Sequence, residues 1–178
     1  MDEKPTLLQR LLPELAQSGA TKECAGSLPC EWLNVGSRSF KLDDGISYEV
    51  TLTNTGGGVL LTGTARVAGV TECDRCLEDA AFEVSGEVSA YFILHPDRLD
   101  DELADDESVP VGTDSTVDLA VPIIAAVISE MPLALLCRDD CAGLCPSCGA
   151  NLNEELCDCA ARAVPDGPFA ALSSLKGE

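Results

Sequence analysis

The sequence has few basic residues: 11 Lys and Arg stand against 31 Asp and Glu, and the formal net charge is −20. The basic residues are scattered singly along the chain, without a stripe or cluster. Because nucleic-acid binding normally depends on Lys and Arg that neutralise phosphates, we expect any contact with RNA to be indirect. The charge fits a protein partner with a basic surface, and it also favours solubility.

Residues typical of active sites are scarce as well. His95 is the only histidine, and it stands at the end of a strand-like run. The spacing offers no nucleophile–base pair or paired carboxylates, and the glycines at 56–58 lack the helix and Lys of a phosphate-binding loop. A catalytic zinc would need an open ligand set such as three His. We therefore expect a protein that is not an enzyme and has no small-molecule substrate.

Long uninterrupted apolar runs are missing too. The amino-terminal residues show no apolar stretch typical of a secretory signal. The longest apolar stretch, 117–136, is broken by Asp118, Pro122 and Glu130, which predicts a buried helix instead of a membrane span. These features predict a cytoplasmic protein without a membrane partner.

The hydrophobic residues that are present are mostly aliphatic, since aromatic residues make up 4% of the chain and hydrophobic residues 46%. Leucines at helical spacing predict a short amphipathic helix over residues 5–17. A second helix is expected to begin near Asp118 or Val121 and to end before Pro132. A short third helix is expected over 168–176.

The residues from 48 to 94 alternate between apolar and polar side chains, with a Gly-rich turn at 54–58. This pattern predicts an antiparallel β-meander with one buried face. Strands followed by a helix predict an α+β fold: an antiparallel sheet, a buried helix and a C-terminal Cys-rich zinc-binding segment. The expected division is an N-terminal helix and linker over 1–45, a core of sheet plus helix over 46–136, and a Cys-rich segment with a short C-terminal helix over 137–178.

Ten cysteines are the most informative residues. Between 137 and 159 they read Cys137-x3-Cys141-x3-Cys145-x2-Cys148-x8-Cys157-x-Cys159. A two-residue spacer lets both thiolates point into one tetrahedral site, and Gly149 permits the turn that follows. In a reducing cytosol, closely spaced cysteines favour metal over disulfides. The segment is therefore predicted to bind structural zinc, one or two ions.

Several ligand sets satisfy this spacing. The favoured set is Cys145, Cys148, Cys157 and Cys159. Cys137 and Cys141 can equally complete the shell, and six thiolates that share two zinc ions are a further option.

A second, weaker pair is Cys73 and Cys76, which lies between two extended runs. If Cys137 and Cys141 complete this half-site, eight cysteines form two sites of four thiolates. Free thiols at a turn are an equally good interpretation, whereas a redox pair would require a helix amino terminus. Cys24 and Cys30, in a loop-like stretch, are expected to be free and partly buried.

Three of these segments resemble a known family, in the family's order. Cys73-Asp74-Arg75-Cys76-Leu77 resembles the CxRCL signature of the YceD family of large ribosomal RNA subunit accumulation proteins. The block 136–153 is similar to the cysteine-rich block of its Gram-positive-type members, and 168–176 is similar to their C-terminal helix. The match runs from about residue 48 to the end of the chain.

The resemblance implies a role in ribosome biogenesis, through support for the accumulation of large-subunit ribosomal RNA. Members of the proteobacterial type lack most of the second cysteine block, which implies that the block stabilises the protein. With a net charge of −20, the hypothesis is a factor that binds a basic ribosomal protein or assembly factor through the acidic segment 97–107 and reaches rRNA indirectly. The alternatives are a metal- or redox-responsive cysteine switch and a direct RNA-binding module.

Overall fold

The computed structural model describes residues 5–11, 13–93, 108–110 and 115–159. These residues form mostly antiparallel β-sheet with one short helix, as the α+β prediction expected. The elements are β1 Leu8–Arg10, β2 Thr21–Leu28, β3 Trp32–Val35, β4 Arg38–Leu42, β5 Ile46–Asn54, β6 Gly58–Glu72, β7 Asp79–Ile93, β8 Ser108–Pro110, β9 Thr116–Asp118 and α1 Ala120–Glu130.

The main sheet is built around the long strand β6. β5 and then β4 pair antiparallel with β6, β2 extends the sheet beyond β5, and β3 extends it beyond β4. β7 also pairs with β6, and β8 runs parallel to β7. The predicted Gly-rich hairpin is confirmed: Thr55 donates its N–H to the carbonyl of Gly58 at 2.9 Å, and Gly56 has φ +93°. The alternation over 48–94 therefore predicted β5, β6 and β7.

The amino-terminal prediction is wrong. Residues 8–10 form β1, which pairs antiparallel with β9 and has Leu8 opposite Asp118. Pro13 falls in a turn instead of a helix, because proline removes a backbone donor and blocks the preceding turn. The linker prediction for the residues up to 45 is wrong too, since β2, β3 and β4 lie there.

Helix α1 lies where the sequence predicted it. Pro122 is in its first turn, and the helix ends at Glu130, before Pro132. Asp118 accepts hydrogen bonds at Oδ1 from the N–H groups of Ala120 and Leu7, at 2.9 and 2.8 Å, so it ties this end of the helix to the residue directly before β1. In the described ranges no helix has the length and apolarity needed to cross a membrane.

The chain divides into two compact units. One, the sheet unit, comprises Met1–Thr71 and Ala80–Ala134; the other comprises Glu72–Asp79 and Leu135–Glu178 and is here called the cysteine-rich unit. Glu72–Asp79 is the connection between β6 and β7, and it carries Cys73 and Cys76. Three predictions lie outside the described residues: the strand-end His95, the acidic segment 97–107 and the helix over 168–176.

Candidate metal centres

Eight of the ten cysteines lie in the cysteine-rich unit, and their sulfur atoms gather into two groups of four. In each group the four sulfur atoms all lie within 4.8 Å of one another. The first cluster is Cys73, Cys76, Cys137 and Cys141. The second cluster is Cys145, Cys148, Cys157 and Cys159, the set that the sequence analysis favoured.

The distances between sulfur atoms fit metal coordination. Cys76 and Cys137 are 3.5 Å apart in the first cluster, and Cys145 and Cys157 are 3.3 Å apart in the second. Four thiolates around a zinc ion with Zn–S of about 2.3 Å are separated by about 3.8 Å, whereas a disulfide requires about 2.05 Å. All ten cysteines are free. Each cluster can therefore hold one metal ion with little movement of its sulfur atoms.

The two Cys-x2-Cys turns have the same backbone geometry. Cys73 accepts at its carbonyl from the N–H of Leu77 at 3.0 Å and donates its own N–H to Glu78 at 2.8 Å. In the second turn, Cys145 accepts from Gly149 at 2.8 Å and donates to Ala150 at 2.8 Å. In each turn these two backbone hydrogen bonds close a tight turn, which places the thiols of both its cysteines in the same cluster. We call the two turns the first and second knuckle.

Both knuckles require a residue with positive φ directly after their second cysteine. Gly149 has φ +76°, which glycine adopts without strain. Leu77 has φ +65° at the equivalent position, although its side chain is 62% exposed. A non-glycine residue in this region is held there by its surroundings, here by the two backbone bonds of Cys73.

The two halves of the first cluster are far apart in sequence, and the spacer residues of the first knuckle join them. Asp74 accepts the N–H of Leu135 at Oδ2 at 2.6 Å and donates its own N–H to the Leu135 carbonyl at 2.9 Å. Arg75 donates from Nη1 to the carbonyl of Cys141 at 2.9 Å, and its own carbonyl accepts from Leu144 at 3.0 Å. Side chains and backbone thus hold the half-sites together without any metal bond.

The loop between the two halves of the second cluster is closed by short-range contacts. Leu144 and Asn151 form an isolated antiparallel bridge. Asn151 accepts at its main-chain carbonyl from the N–H groups of Glu154 and Glu155, both at 3.0 Å. The side chain of Asn153 contacts the first cluster, because its Nδ2 lies 3.4 Å from the sulfur of Cys141.

Each cluster contains a thiol that ionises readily and one that does not. Burial raises the pKa of Cys73, but N–H groups of Arg75, Cys137 and Cys76 around its sulfur outweigh burial and lower the pKa to about 6. Burial and the neighbouring thiols raise the pKa of Cys137 to about 12. A thiolate thus forms readily at Cys73, and removing the proton of Cys137 as well requires a cation to offset the accumulating negative charge.

The second cluster follows the same pattern. Backbone N–H groups of Cys148 and Ser147 lower the pKa of Cys145 to about 6. The thiols of Cys157 and Cys148, together with burial, raise the pKa of Cys159 to about 12. The arrangement suits a divalent cation that replaces several protons at once.

Exposure differs between the clusters. In the first cluster, Cys73 is 0% exposed, Cys76 and Cys141 are buried, and Cys137 is half-buried. In the second, Cys145 is buried and Cys148 is exposed. Each cluster offers four protein thiols, the number that a closed tetrahedral zinc site requires.

Cys24 and Cys30 belong to neither cluster. Cys24 lies in β2, so its placement in a loop was wrong, and its thiol is 3.9 Å from Oε1 of Gln9. Cys30 lies between β2 and β3. Both are free and half-buried, as predicted, and burial raises the pKa of both thiols.

Sequence reasoning missed the residues that hold the clusters in place: Asp74, Arg75, Asn151 and Asn153. The signal for the asparagines was present, because Asn-x-Asn between two pairs of ligands favours turns in which side chains bond the backbone. The roles of Asp74 and Arg75 had no local signal, since their partners lie about sixty residues further along the chain.

Comparison with known proteins identifies the family. Residues 61–176 match the sequence model of a protein family, which is described as large ribosomal RNA subunit accumulation protein YceD. An uncharacterized protein of Mycobacterium tuberculosis is 37% identical over 123 residues, which are 68% of this chain and 59% of the relative. An uncharacterized protein of Mycobacterium leprae is 34% identical over 107 residues, 60% of this chain and 49% of the relative.

A chloroplastic protein of Arabidopsis thaliana, named large ribosomal RNA subunit accumulation protein YCED homolog 1, is 35% identical over 60 residues, 34% of this chain and 18% of that protein.

The chain spans less than two thirds of the length of the mycobacterial relatives. No solved structure matches it. The family match includes all eight clustered cysteines and covers more than half of the chain. The chain belongs to the YceD family of large ribosomal RNA subunit accumulation proteins.

Proposed function

We propose that this protein is a non-enzymatic ribosome-biogenesis factor that supports the accumulation of large-subunit ribosomal RNA and acts through protein partners. Membership of a family named for that role carries the proposal. The description of the chloroplastic relative names the same process. Within the cell, the cytoplasm is the compartment that fits this role.

We further propose that the two clusters bind two structural zinc ions. The buried hydrophobic residues in the described part of the cysteine-rich unit are Cys73, Cys76, Leu135, Cys141 and Cys145. Its core therefore consists almost entirely of the candidate ligands. A unit with so little apolar burial needs another source of stability, and a zinc ion bound by four thiolates supplies it. Soft thiolates in a tetrahedral arrangement favour zinc among the common divalent ions.

A closed four-thiolate site supports a role other than catalysis. Catalytic zinc keeps one position open for water or substrate, and these clusters offer four protein ligands each. Two grooves lie on the sheet unit, and the larger of the two, of about 420 Å³, is lined by Asp43, Asp44 and Glu83 among others. Neither cluster lines these grooves.

The charge of the cysteine-rich unit supports a basic protein partner. Its described basic side chains are Arg75 and Arg138; Arg75 bonds the Cys141 carbonyl, and Arg138 is paired with Asp140. Its described acidic side chains are Glu72, Asp74, Glu78, Asp79, Asp139, Asp140, Glu154, Glu155 and Asp158. A zinc ion with four thiolates adds a formal charge of about −2. Such a surface repels phosphates and attracts the Lys and Arg of a ribosomal or assembly-factor protein.

The rRNA function is tested by complementation. A strain depleted of its own copy is supplied with the wild-type chain, with the double variant Cys145→Ser/Cys148→Ser, or with the matched control Cys24→Ser/Cys30→Ser. The ratio of large- to small-subunit ribosomal RNA is measured. We expect the wild type and the control to restore the ratio and the second-cluster variant to fail because the unit loses its order. An unchanged ratio after depletion of the protein contradicts the function itself.

The partner proposal is tested by association with ribosomal components. The acidic residues of segment 97–107 are replaced with Asn and Gln, and the variant is compared with the wild type in a purification of bound basic proteins. We expect a clear loss of bound ribosomal or assembly-factor protein. Unchanged association contradicts a contact through that segment.

A redox switch is the second candidate, and one observation favours it: Cys148 of the second cluster is exposed and therefore accessible to an oxidant. Rapid alkylation of the second cluster in the metal-loaded protein supports this candidate and contradicts a purely structural site. For direct RNA binding, the signature is an RNA affinity that falls steeply with added salt.

A further inference from the structure

A loop that belongs to the second cluster reaches the first cluster. The loop is 149–156, and it joins Cys148 to Cys157, two members of the second cluster. We call it the closing loop. Within it, Asn153 donates from Nδ2 to the sulfur of Cys141, a member of the first cluster, at 3.4 Å.

The amide of Asn153 is held in place at both of its ends. Its Oδ1 accepts the N–H of Ala142 at 2.8 Å, directly beside the cysteine that its Nδ2 contacts. The same Nδ2 donates to Oδ1 of Asn151 at 2.9 Å, and the main-chain N–H of Asn153 donates to that oxygen at 3.1 Å. These bonds depend on the closing loop keeping its shape, because two of the four are made to Asn151 within the same loop.

A second set of contacts runs through the segment 142–144, which joins Cys141 to Cys145. Leu152 of the closing loop donates its N–H to the carbonyl of Gly143 at 2.9 Å. Leu144 donates its N–H to Arg75 in the first knuckle at 3.0 Å. The closing loop thus lies against one side of this segment, and the first knuckle bonds its other side.

We propose that Asn153 is a positioning residue that couples the two clusters, so that a metal ion in the second cluster strengthens binding in the first. This inference rests on the proposed zinc binding. An ion in the second cluster fixes both ends of the closing loop and thereby reduces the entropy that its ordering costs. The ordered loop presents the Asn153 amide to Cys141, where an N–H donor stabilises a metal-bound thiolate. The coupling is reciprocal, as any linkage between binding sites is.

The test is a double-mutant cycle on the full chain with cadmium alone as the probe. The variants are Asn153→Ala, Cys148→Ser/Cys157→Ser and their combination, and cadmium NMR gives each cluster its own resonance while a chelator competes for the ion. We expect Asn153→Ala to lower the cadmium affinity of the first cluster about 10-fold when the second cluster is intact. In the Cys148→Ser/Cys157→Ser background we expect the same substitution to change this affinity little, because Asn153 has already lost its position.

The spectrum supplies a readout that general stability does not move. Losing the N–H donor alters the electron density at Cys141, so the resonance of the first cluster shifts in Asn153→Ala and that of the second does not. The matched control Asn34→Ala removes an exposed amide from the β3–β4 hairpin and is expected to leave both resonances and affinities unchanged.

The outcomes separate the two proposals. If neither cluster binds cadmium, the metal proposal fails. If both clusters bind and Asn153→Ala has no effect, or has the same effect in both backgrounds, the coupling is wrong and the metal proposal stands.

Discussion

At the scale of single residues, ligands are easier to predict than the residues that hold them. Closely spaced cysteines indicate metal binding through their type and spacing, so all eight clustered cysteines were candidates from sequence. The supporting residues form hydrogen bonds to distant parts of the chain, as Asp74, Arg75 and Asn153 do. Their partner atoms become neighbours only after folding. For the sequence, a single site formed by Cys73, Cys76, Cys137 and Cys141 was one of several alternatives, because the two pairs become neighbours only after folding.

Arg75 provides a residue-scale prediction. Its guanidinium bonds the Cys141 carbonyl, so Arg75→Ala is expected to weaken metal binding in the first cluster about 10-fold, as the loss of a supporting hydrogen bond does. Arg138→Ala is the matched control, because Arg138 is half-exposed and pairs with the exposed Asp140. Chelator competition measures both. Equal effects of the two substitutions would contradict the supporting role of Arg75.

The thiol pKa values predict how zinc affinity depends on pH. A metal-bound cysteine must be deprotonated, and the pKa of Cys137 and of Cys159 is raised to about 12, so both carry protons at neutral pH without metal. Zinc must displace these protons, and affinity therefore falls as the pH falls. Calorimetry in buffers of different ionisation enthalpy counts the released protons. We expect at least about one per cluster, and a count of zero would contradict thiol ligation.

At the scale of elements, the sequence predicted the strands with one buried face and missed the exposed ones. β5, β6 and β7 alternate clearly because one face of each is buried. β2 is an edge strand with mostly exposed residues, and in β3 the side chain of Trp32 is 50% exposed. Neither strand therefore needs a regular alternation of apolar and polar residues. The leucines of 5–17 have helical spacing, but pairing of β1 with β9 overrides that local pattern.

The two knuckles make opposite predictions about glycine. Gly149→Ala forces a side chain into positive φ and should destabilise the metal-loaded protein by about 1–2 kcal/mol. Leu77→Gly relieves the same conformation and removes a side chain that is 62% exposed, so little buried surface is lost and stability should stay level or rise by up to about 1 kcal/mol. Urea unfolding of both variants measures the difference. A loss of stability in Leu77→Gly would show that the leucine side chain contributes contacts.

Helix α1 lies directly on β7 within the sheet unit. A Cβ at Gly86 would collide with the carbonyl oxygen of Ala126, which leaves no room for a side chain. Gly86→Ala is therefore expected to destabilise the unit by about 1–3 kcal/mol, as overpacking does. Ser85→Ala, on the exposed face of the same strand, should change stability little. A thermal unfolding midpoint that is equal in the two variants would contradict this packing.

At the scale of the whole molecule, the two units obtain their stability from different sources. The sheet unit buries aliphatic side chains and Phe40 and Phe92. The cysteine-rich unit buries mainly thiols, and in our proposal a metal ion takes the place of a core there. The net charge of −20 was available from the sequence alone, whereas the assignment of cysteines to clusters required the fold.

Metal content and thiol reactivity, measured on the same sample, decide whether the eight clustered cysteines bind zinc. Elemental analysis of the purified native protein should find about two zinc ions per chain. Thiol titration of the same sample should find Cys24 and Cys30 reactive and the eight clustered thiols protected until a chelator is added. A protein without metal, with clustered cysteines oxidised in pairs, would contradict the account.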